Sequence, residues 1–386
     1  MNPNLAPDIA GKVMTVRGPV DPDDLGVTIA HEHLFLDLRK NHLPHIESVS
    51  LKGRTEPIIT TAEFPATELA LWEAKVDLGT LHIARETGPI ADNYVLADEQ
   101  VAIDEVMAFK KTGGGTIVDV TSIGIKRAPE ALRRVSEATG LHIIMGTGFY
   151  TTVFHPEDMD SRSVECLSDE IVRDVTEGVG DSGIRAGIIG EIGVNGNPIA
   201  PNEIKSLRAA ARASRLTGGA ITLHRGGTGA ERRQSLDILE EEGADLSRVI
   251  LGHADEIAED LELMLELLER GVYLEFDLIG REGVLEKSVT LKDAEAIVKL
   301  IDAAYVHRML LSHDVCWKVH LRRYGGFGYA FLLEQFLPHL REAGVSDSDI
   351  DRMMVANPKT VLMDAKHGLE KKRIALGPDL GEIQFT

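Results

Sequence analysis

The strongest constraint on the fold is the presence of eight short apolar segments, which differ in sequence and alternate with segments of helical periodicity. Such nearly continuous apolar runs indicate strands buried on both faces, as in parallel sheets covered by helices. Eight strand and helix units favour a closed (β/α)8 TIM barrel over an open, doubly wound sheet. The predicted strands are Val27–His33, Thr116–Thr121, His142–Thr147, Ala186–Val194, Ala220–His224, Val249–His253, Val272–Asp277 and Met309–Asp314.

The length of the chain leaves two domain arrangements open. A chain of 386 residues with 43% apolar residues fits either two ordinary domains or one α/β barrel with insertions. No Gly-x-Gly-x-x-Gly loop follows the first predicted strand, which weakens the dinucleotide-binding alternative. We therefore predict an α/β fold with a single barrel domain spanning residues 1–386.

Two additions to this barrel are expected. The segment Lys12–Val20 is rich in β-branched residues and contains Gly18-Pro19, so it predicts a hairpin that covers the barrel floor. Residues 35–95 are irregular apart from one helical stretch, Thr67–Val76. Because so long a connection is usually functional or carries its own structure, we predict an insertion after the first strand, near the active-site mouth.

The first strand carries two histidines at a spacing that suits metal binding. Side chains alternate between the faces of a strand, so His31 and His33 project to one side while Glu32 projects to the other. Two imidazoles on one face can converge on a single divalent ion. On the pair alone, an incidental arrangement of two histidines remains open, and the spacing differs from the helical His-Glu-x-x-His motif.

Polar residues at the ends of other predicted strands extend this pair to six. Barrel active sites form where the strands end at their carboxyl face, so these residues are expected to converge. Burying six such groups together would be very costly without cations, and four imidazoles with two carboxylates suffice for two metals. We predict two divalent ions, with Zn²⁺ first and Mn²⁺, Co²⁺ or Fe²⁺ as alternatives. The predicted metal ligands are His31, His33, Glu191, His224, His253 and Asp314.

The composition narrows the class of partner. A formal net charge of −21 disfavours nucleic acid and anionic membranes, and no block of lysine and arginine overrides that average. The chain has two cysteines, no segment with signal-peptide character and no apolar stretch of membrane-spanning length. We predict a soluble cytoplasmic protein whose partner is a small-molecule substrate. A homodimer is a possible assembly.

The combined motifs resemble the phosphotriesterase family of the amidohydrolase superfamily, which includes the phosphotriesterase-related proteins. The resemblance covers nearly the whole chain. Its motifs are Thr15-Val-Arg-Gly-Pro19, Leu25-Gly-Val-Thr-Ile-Ala-His-Glu-His33, Gly146-Thr-Gly-Phe-Tyr150 and Val355-Ala-Asn-Pro-Lys359.

The resemblance implies a role for each predicted ligand. His31, His33 and Asp314 would hold a buried α metal, and His224 and His253 a more exposed β metal. Glu191 stands where many members of the family have a lysine that must be carboxylated before it can bridge the metals. The chain here resembles the subgroup with a glutamate bridge, which makes efficient phosphotriester hydrolysis doubtful.

The expected chemistry is hydrolysis by a hydroxide that bridges the two metals, since such a water loses its proton near neutral pH. Asp314 is the predicted catalytic residue, which accepts the proton and passes it to the leaving group. A lactone or carboxylic ester is the first choice of substrate, an N-acyl amide the second and a phosphotriester the third. The competing class is a non-catalytic barrel that binds metal structurally or senses a ligand.

Substrate contacts are less constrained by the sequence. Tyr150 could donate its hydroxyl to a carbonyl oxygen, or simply pack in its loop. Asp277 could contact substrate or relay a proton, and Asp255 could orient Arg225 or a ligand histidine, or cap a helix. His313 is expected to be structural. A local excess of cations after three strands hints at an anionic substrate, although a solvated rim explains it equally well. These cations are Arg225, Arg281, Lys318, Arg322 and Arg323.

Overall fold

The computed structural model describes residues 9–42, 47–49, 58–60, 66–86, 88–224, 229–281 and 289–364. Its centre is an eight-stranded, all-parallel sheet in the order β14-β13-β12-β11-β10-β9-β8-β3. The strands follow the sequence order around the sheet, as in a TIM barrel. They are β3 (Val27–Glu32), β8 (Gly114–Asp119), β9 (His142–Thr147), β10 (Ile188–Gly193), β11 (Ile221–His224), β12 (Val249–Leu251), β13 (Tyr273–Phe276) and β14 (Met309–Leu311).

Helices follow the barrel strands, and three small two-stranded antiparallel sheets supplement them. The α-helices are α1 (Ala66–Trp72), α2 (Leu81–Arg85), α3 (Glu99–Lys111), α4 (Pro129–Thr139), α5 (Val164–Thr176), α6 (Pro201–Thr217), α7 (Gly229–Glu241), α8 (Leu261–Glu269), α9 (Val289–Asp302), α10 (Leu337–Glu342), α11 (Asp347–Asp351) and α12 (Asn357–Leu362). The remaining strands are β1 (Val13–Thr15), β2 (Gly18–Val20), β4 (Leu36–Asp37), β5 (Glu47–Val49), β6 (Ile58–Thr60) and β7 (Val95–Leu96), which pair as β1-β2, β4-β7 and β5-β6. In the part of the chain described, no helix is both long and apolar enough to cross a membrane.

Side chains join the first and last strands of the barrel, β3 and β14. The carboxylate of Glu32 accepts hydrogen bonds from the Ser312 hydroxyl (2.8 Å) and from the His313 amide (3.0 Å) and ring Nδ1 (2.7 Å). Its second oxygen accepts from the Val315 amide at 3.0 Å. The amide of His31 in turn donates to the Ser312 hydroxyl at 2.9 Å. The buried Glu32 carboxylate thus closes the barrel and lies beside the strand that carries both histidines.

The predicted hairpin is confirmed, with Val13 opposite Val20 in the antiparallel pair β1 and β2. It lies at the amino ends of the barrel strands, because the Val16 amide donates to the Ile143 carbonyl of β9 at 2.9 Å. At the opposite end, Tyr94 of the predicted insertion packs edge-on against Trp317, with ring centroids 5.9 Å apart. Trp317 follows β14, so this part of the insertion lies beside the carboxyl end of the barrel.

Six of the eight predicted strands end one to three residues earlier than expected, and in two of them the reason is the backbone of a candidate ligand. The prediction for β12 extended to His253 and that for β14 to Asp314, but these strands end at Leu251 and Leu311. His253 has φ of 52° and Asp314 has φ of 50°, in the left-handed region that no strand residue adopts. Both side chains therefore project from the first turns beyond their strands.

Candidate metal centre

The six predicted ligands lie together at the carboxyl end of the barrel. His31 and Glu191 are within β3 and β10, and His224 ends β11. The other three, His33, His253 and Asp314, lie one to three residues beyond the ends of their strands. Five of the six are buried, and the side chain of His224 is 14% exposed. Parallel strands of similar length end at one edge of the sheet, which explains how residues so distant in sequence converge.

Glu191 is at the centre of the cluster. Its Oε1 is 3.3 Å from His31 Nε2 and 3.5 Å from His253 Nε2, and it also contacts His224 Nδ1. Its Oε2 is 3.7 Å from His33 Nε2. One carboxylate oxygen thus faces both histidines of the predicted β metal and His31 of the predicted α metal, while the other faces His33. This is the arrangement that a bridging ligand needs.

The remaining contacts connect the predicted ligands of both metals, and the His31 ring lies as close to His253, with centroids 5.3 Å apart, as it does to His33. His33 Nε2 is 3.3 Å from Asp314 Oδ1, and His31 lies beside His33 with ring centroids 5.7 Å apart. His224 and His253 approach each other through Nδ1 and Nε2 at 3.0 Å. Donor atoms of His31, His33 and Asp314 all lie within 4.8 Å of one another, as do those of His31, Glu191 and His253.

The chemistry of these side chains fits divalent cations. His31 Nε2 and Glu191 Oε2 are buried and have no hydrogen-bond partner within the described part of the chain. An unsatisfied buried imidazole nitrogen and carboxylate oxygen are costly, whereas a bound cation satisfies both. The backbone of His253 and Asp314 is held in a strained, left-handed conformation, which is characteristic of functional sites.

Protonation of the cluster reflects competition between burial and charge. Burial alone lowers the pKa of a histidine, but the carboxylates of Asp277 and Glu191 raise the pKa of His31 well above its ordinary value. Burial is likewise outweighed by Asp277 at His253, whose pKa rises to about 10. At His224 burial prevails over Glu191 and the pKa is lowered. Burial opposes ionisation of Glu191, yet the facing histidines hold the pKa of that carboxyl well below its usual range.

Asp277 is buried behind the predicted ligands His31 and His253 and contacts both rings, so it does not line the mouth of the site. It is fully buried; one oxygen is 3.0 Å from His31 Nδ1 and the other accepts a hydrogen bond from His253 Nδ1 at 2.6 Å. Its carboxylate also accepts from the His253 amide. The structure thus differs from the predicted substrate contact, because a residue enclosed by two ligand histidines cannot reach substrate. Asp277 instead orients the two rings.

Asp255 hydrogen-bonds to the Asp277 backbone but not to the predicted metal ligands in the described part of the chain. Its carboxylate accepts hydrogen bonds from the amides of Asp277 and Leu278, at 3.0 and 3.2 Å. It therefore holds the backbone of Asp277 and makes no hydrogen bond to a predicted ligand histidine among the described residues, while Arg225 lies outside them. Burial and the nearby charge of Asp277 raise the pKa of Asp255 to about 6.

Of the predicted cations, Arg281 alone among those described reaches the cluster. Its Nη2 donates to the Asp314 carboxylate and lies 3.3 Å from Cys316 Sγ. Its Nε is buried without a hydrogen-bond partner among the described residues, although 27% of the side chain is exposed. The neighbouring Asp314 raises the pKa of Arg281 in spite of burial, so the guanidinium is charged.

The other predicted cations have different surroundings. Lys318 pairs with Asp92 at 2.8 Å and Arg322 pairs with Glu334. The side chain of Arg323 is exposed. Arg225 lies outside the described residues. The expected excess of positive charge thus reduces, for the part of the chain described, to one guanidinium beside the candidate ligands.

Tyr150 lies over the more exposed part of the cluster. Its hydroxyl is 3.3 Å from both ring nitrogens of His224, and the two ring centroids are 4.6 Å apart. Burial, together with the charges of Glu191 and Asp314, raises the pKa of Tyr150 well above its ordinary value. The hydroxyl is therefore a proton donor throughout the neutral range.

Two buried glutamates near the site were not identified from the sequence. Glu32 closes the barrel with His313, whose Nε2 also accepts from the Leu332 amide at 3.0 Å, in line with the structural role predicted for that histidine. Glu275 lies 3.7 Å from His31 Nδ1, and burial raises its pKa to about 7. The available signal was a charged residue inside an apolar strand, which is rarely buried without a specific partner.

Comparison with known proteins gives a family model and several relatives. The model of the phosphotriesterase family matches residues 11–362. An N-acetyltaurine hydrolase of Dictyostelium discoideum is 34% identical and aligns over 91% of this chain and 98% of its own length. The crystal structure of a resiniferatoxin-binding protein from Rhodobacter sphaeroides has 37% identity and a TM-score of 0.82, with 94% and 98% of the two chains covered. A lactonase from Listeria monocytogenes has the same fold at 22% identity, with a TM-score of 0.72 and coverage of 92% and 99%.

Proposed function

Because the chain belongs to the phosphotriesterase family and is a hydrolase, we propose that it cleaves the amide bond of a small N-acyl compound that carries an acidic group. The observation that supports this proposal is the charged guanidinium of Arg281 beside the cluster, whose Nε has no hydrogen-bond partner among the described residues and whose side chain is partly exposed. A planar guanidinium binds sulfonate, carboxylate or phosphate oxygens in two parallel hydrogen bonds. The similarity to N-acetyltaurine hydrolases points to the same kind of substrate.

The six clustered side chains suit two divalent cations, with Zn²⁺ as the first choice. His31, His33 and Asp314 would hold one cation, His224 and His253 the other, and Glu191 would lie between them. When bound, such cations lower the pKa of a water molecule and polarise the carbonyl oxygen of the substrate.

The chain's own residues supply the remaining steps. Arg281 binds the acidic group, and the Tyr150 hydroxyl donates to the carbonyl oxygen as negative charge develops there. Asp314 accepts the proton of the attacking water and returns it to the leaving nitrogen. The acyl carbon gains the hydroxyl and the amine gains the proton, so the products are a carboxylic acid and a free amine.

A lactone or carboxylic ester is the second candidate substrate. Tyr150 and Asp314 would serve any acyl carbonyl, so the residues around the cluster suit ester and amide cleavage alike. A phosphotriester and a non-catalytic, ligand-binding barrel rank below both. The cytoplasmic location, the homodimer and the single domain spanning residues 1–386 stay predictions.

Arg281→Met tests the proposal directly. We expect kcat/KM for N-acetyltaurine to fall at least about tenfold, because a hydrogen bond to a charged group contributes roughly 1.5–3 kcal/mol. The uncharged analogue N-ethylacetamide should lose less, since it lacks the acidic group and is affected only through the lost contact between Arg281 and Asp314. Steady-state kinetics on both amides measure the difference.

Arg323→Met is the matched control, since that arginine is exposed and follows the next barrel strand, β14, whereas Arg281 follows β13. This variant should leave kcat/KM unchanged for both amides. If Arg281→Met lowers kcat/KM equally for both amides, Arg281 does not recognise the acidic group. If the wild-type enzyme cleaves γ-butyrolactone and phenyl acetate but neither amide, the ester assignment replaces the amide assignment.

A further inference from the structure

A cavity of about 380 Å³ lies at the end of the barrel opposite to the metal cluster. It is enclosed by the hairpin residues Met14–Pro19, by Arg133 and Glu137 of α4, and by Gly183–Arg185, just before β10. Arg185 precedes the first residue of β10, whereas Glu191 lies near the carboxyl end of that strand. The cavity and the cluster therefore open at different faces of the molecule.

Three arginines line this cavity, and none of them has a carboxylate within 4.0 Å in the part of the chain described. Arg17 donates to the Leu141 carbonyl at 3.5 Å and Arg185 donates through Nε to the Val175 carbonyl at 2.8 Å. The Arg133 side chain makes no hydrogen bond or ion pair with the described residues. By contrast, the next residue of α4, Arg134, pairs with Glu99 at 2.8 Å.

The charge balance of the cavity is opposite to that of the whole chain. Glu137 is its single acidic lining residue, so three guanidinium groups face one carboxylate. The chain as a whole has a net charge of −21, and carboxylates to pair with these arginines are abundant in its composition. Arg185 is only partly exposed; the charge of Asp364 acts on it, but no carboxylate among the described residues lies within 4.0 Å of its guanidinium. A partly buried cation is stabilised further by an anion that binds it directly.

The walls of the cavity add an apolar component. The side chains of Met14, Val16 and Ile184 are all less than 10% exposed and lie along its lining. The volume is within the range of about 300–1,000 Å³ that is common for small-molecule sites. Such a site suits a ligand with a carbon skeleton as well as a charged group.

We infer that the cavity at the barrel floor binds a small organic anion, whose phosphate or carboxylate group is held by Arg17, Arg133 and Arg185. Guanidinium groups match both kinds of oxyanion through paired hydrogen bonds. The site is independent of amide hydrolysis, because no residue that lines it belongs to the metal cluster.

Isothermal titration of the metal-loaded enzyme with glycerol 2-phosphate and with glutarate tests this inference. We expect saturable binding of at least one probe, with an affinity that falls as NaCl is raised because the interaction is largely electrostatic. Tighter binding of glycerol 2-phosphate would identify phosphate esters as the ligands, and tighter binding of glutarate would identify dicarboxylates. The absence of binding by both probes overturns the inference.

The double variant Arg17→Ser/Arg133→Ser should weaken binding of the preferred probe at least tenfold. It keeps Arg185, whose backbone contact has a structural role, and kcat/KM of the hydrolase should not change. Arg17→Glu alone, at the exposed hairpin, provides a second test if the double variant folds poorly. Arg215→Ser removes an exposed arginine outside the cavity and should have no effect. Binding that persists unchanged in both cavity variants would place the anion at the metal cluster and contradict the inference.

Discussion

At the scale of single residues, Asp277 acts on both halves of the cluster at once. One of its oxygens faces His31 and the other bonds to His253, so it orients the rings that would hold different metals. Outer carboxylates of this kind also determine which ring nitrogen carries the proton.

Asp277→Asn should therefore weaken metal binding about 10- to 100-fold, because the amide cannot accept from both rings with the same charge. Metal titration against a competing chelator measures this change. Asp174→Asn alters another buried carboxylate, paired with Arg127 at 2.9 Å, and should not change metal affinity. Equal losses in the two variants would indicate general destabilisation instead of ring orientation.

Asp314 is expected to be both a ligand and the proton acceptor. Replacing it by asparagine should reduce turnover at least about 100-fold, which is the usual range for a positioned acid or base. Turnover and metal content should be measured on the same sample. A variant that retains full turnover would mean that another residue accepts the proton.

The identity of residue 191 determines whether carbon dioxide is needed to assemble the metal centre. A glutamate is ionised near neutral pH, whereas a lysine must first react with CO₂ to supply the same anionic group. We expect metal-free enzyme to regain full activity from metal salts in degassed, CO₂-free buffer, and Glu191→Ala to lose the second metal. Reactivation that depends on bicarbonate would show that Glu191 is not the bridge.

At the scale of elements, the closure of β3 against β14 depends on Glu32. Its carboxylate accepts four hydrogen bonds from three residues on or just after β14, and the pair of strands carries three of the candidate ligands. The groups that bind Glu32 would be buried and unsatisfied without it, which costs more than the net value of each bond.

Glu32→Gln should lower the free energy of unfolding by about 1–3 kcal/mol, because one acceptor oxygen becomes an amide donor that faces other donors. Urea denaturation of the metal-free protein measures the change without a contribution from bound metal. Glu99→Gln, which breaks the exposed pair with Arg134, should cost less than about 1 kcal/mol. Similar losses in the two variants would mean that the closure does not depend on the Glu32 carboxylate.

At the scale of the whole molecule, metal binding and stability are linked to pH. The metal-free cluster holds His253 with a pKa of about 10, against an ordinary value of 6.5, chiefly because Asp277 outweighs burial. A histidine whose pKa is raised by folding stabilises the folded state fully below about pH 6.5. That stabilisation is lost as the pH rises toward 10.

We therefore expect the melting temperature of the metal-free protein to fall between pH 6.5 and 9.5, and the fall to be smaller for the metal-loaded protein. Metal uptake should release protons at pH 7.5, because the imidazolium of His253 must lose its proton before it can bind. Titration in buffers of different ionisation enthalpy measures this release. Uptake without proton release would contradict the protonation assigned to His253.

The barrel and the residue types of the cluster could both be predicted before the structure, because they follow from local patterns in the sequence. Eight buried strands are evident from apolar runs, and a polar residue at the end of such a run must lie at the carboxyl face. The phosphotriesterase family was likewise identified from motifs in the sequence and is confirmed by the family model. Tyr150 was predicted near the site, and its hydroxyl lies 3.3 Å from His224.

The hydrogen bonds and contacts among these side chains, in contrast, became evident from the fold alone. Glu32 and His313 are 281 positions apart, and although closure of the predicted barrel brings their strands together, no local pattern indicates that these two side chains bond. Asp277 resembled a substrate contact until its burial between His31 and His253 was visible, and the five predicted cations could not be distinguished by position along the chain. Such roles depend on which side chains face each other across the barrel, and that arrangement is determined by strand packing and closure.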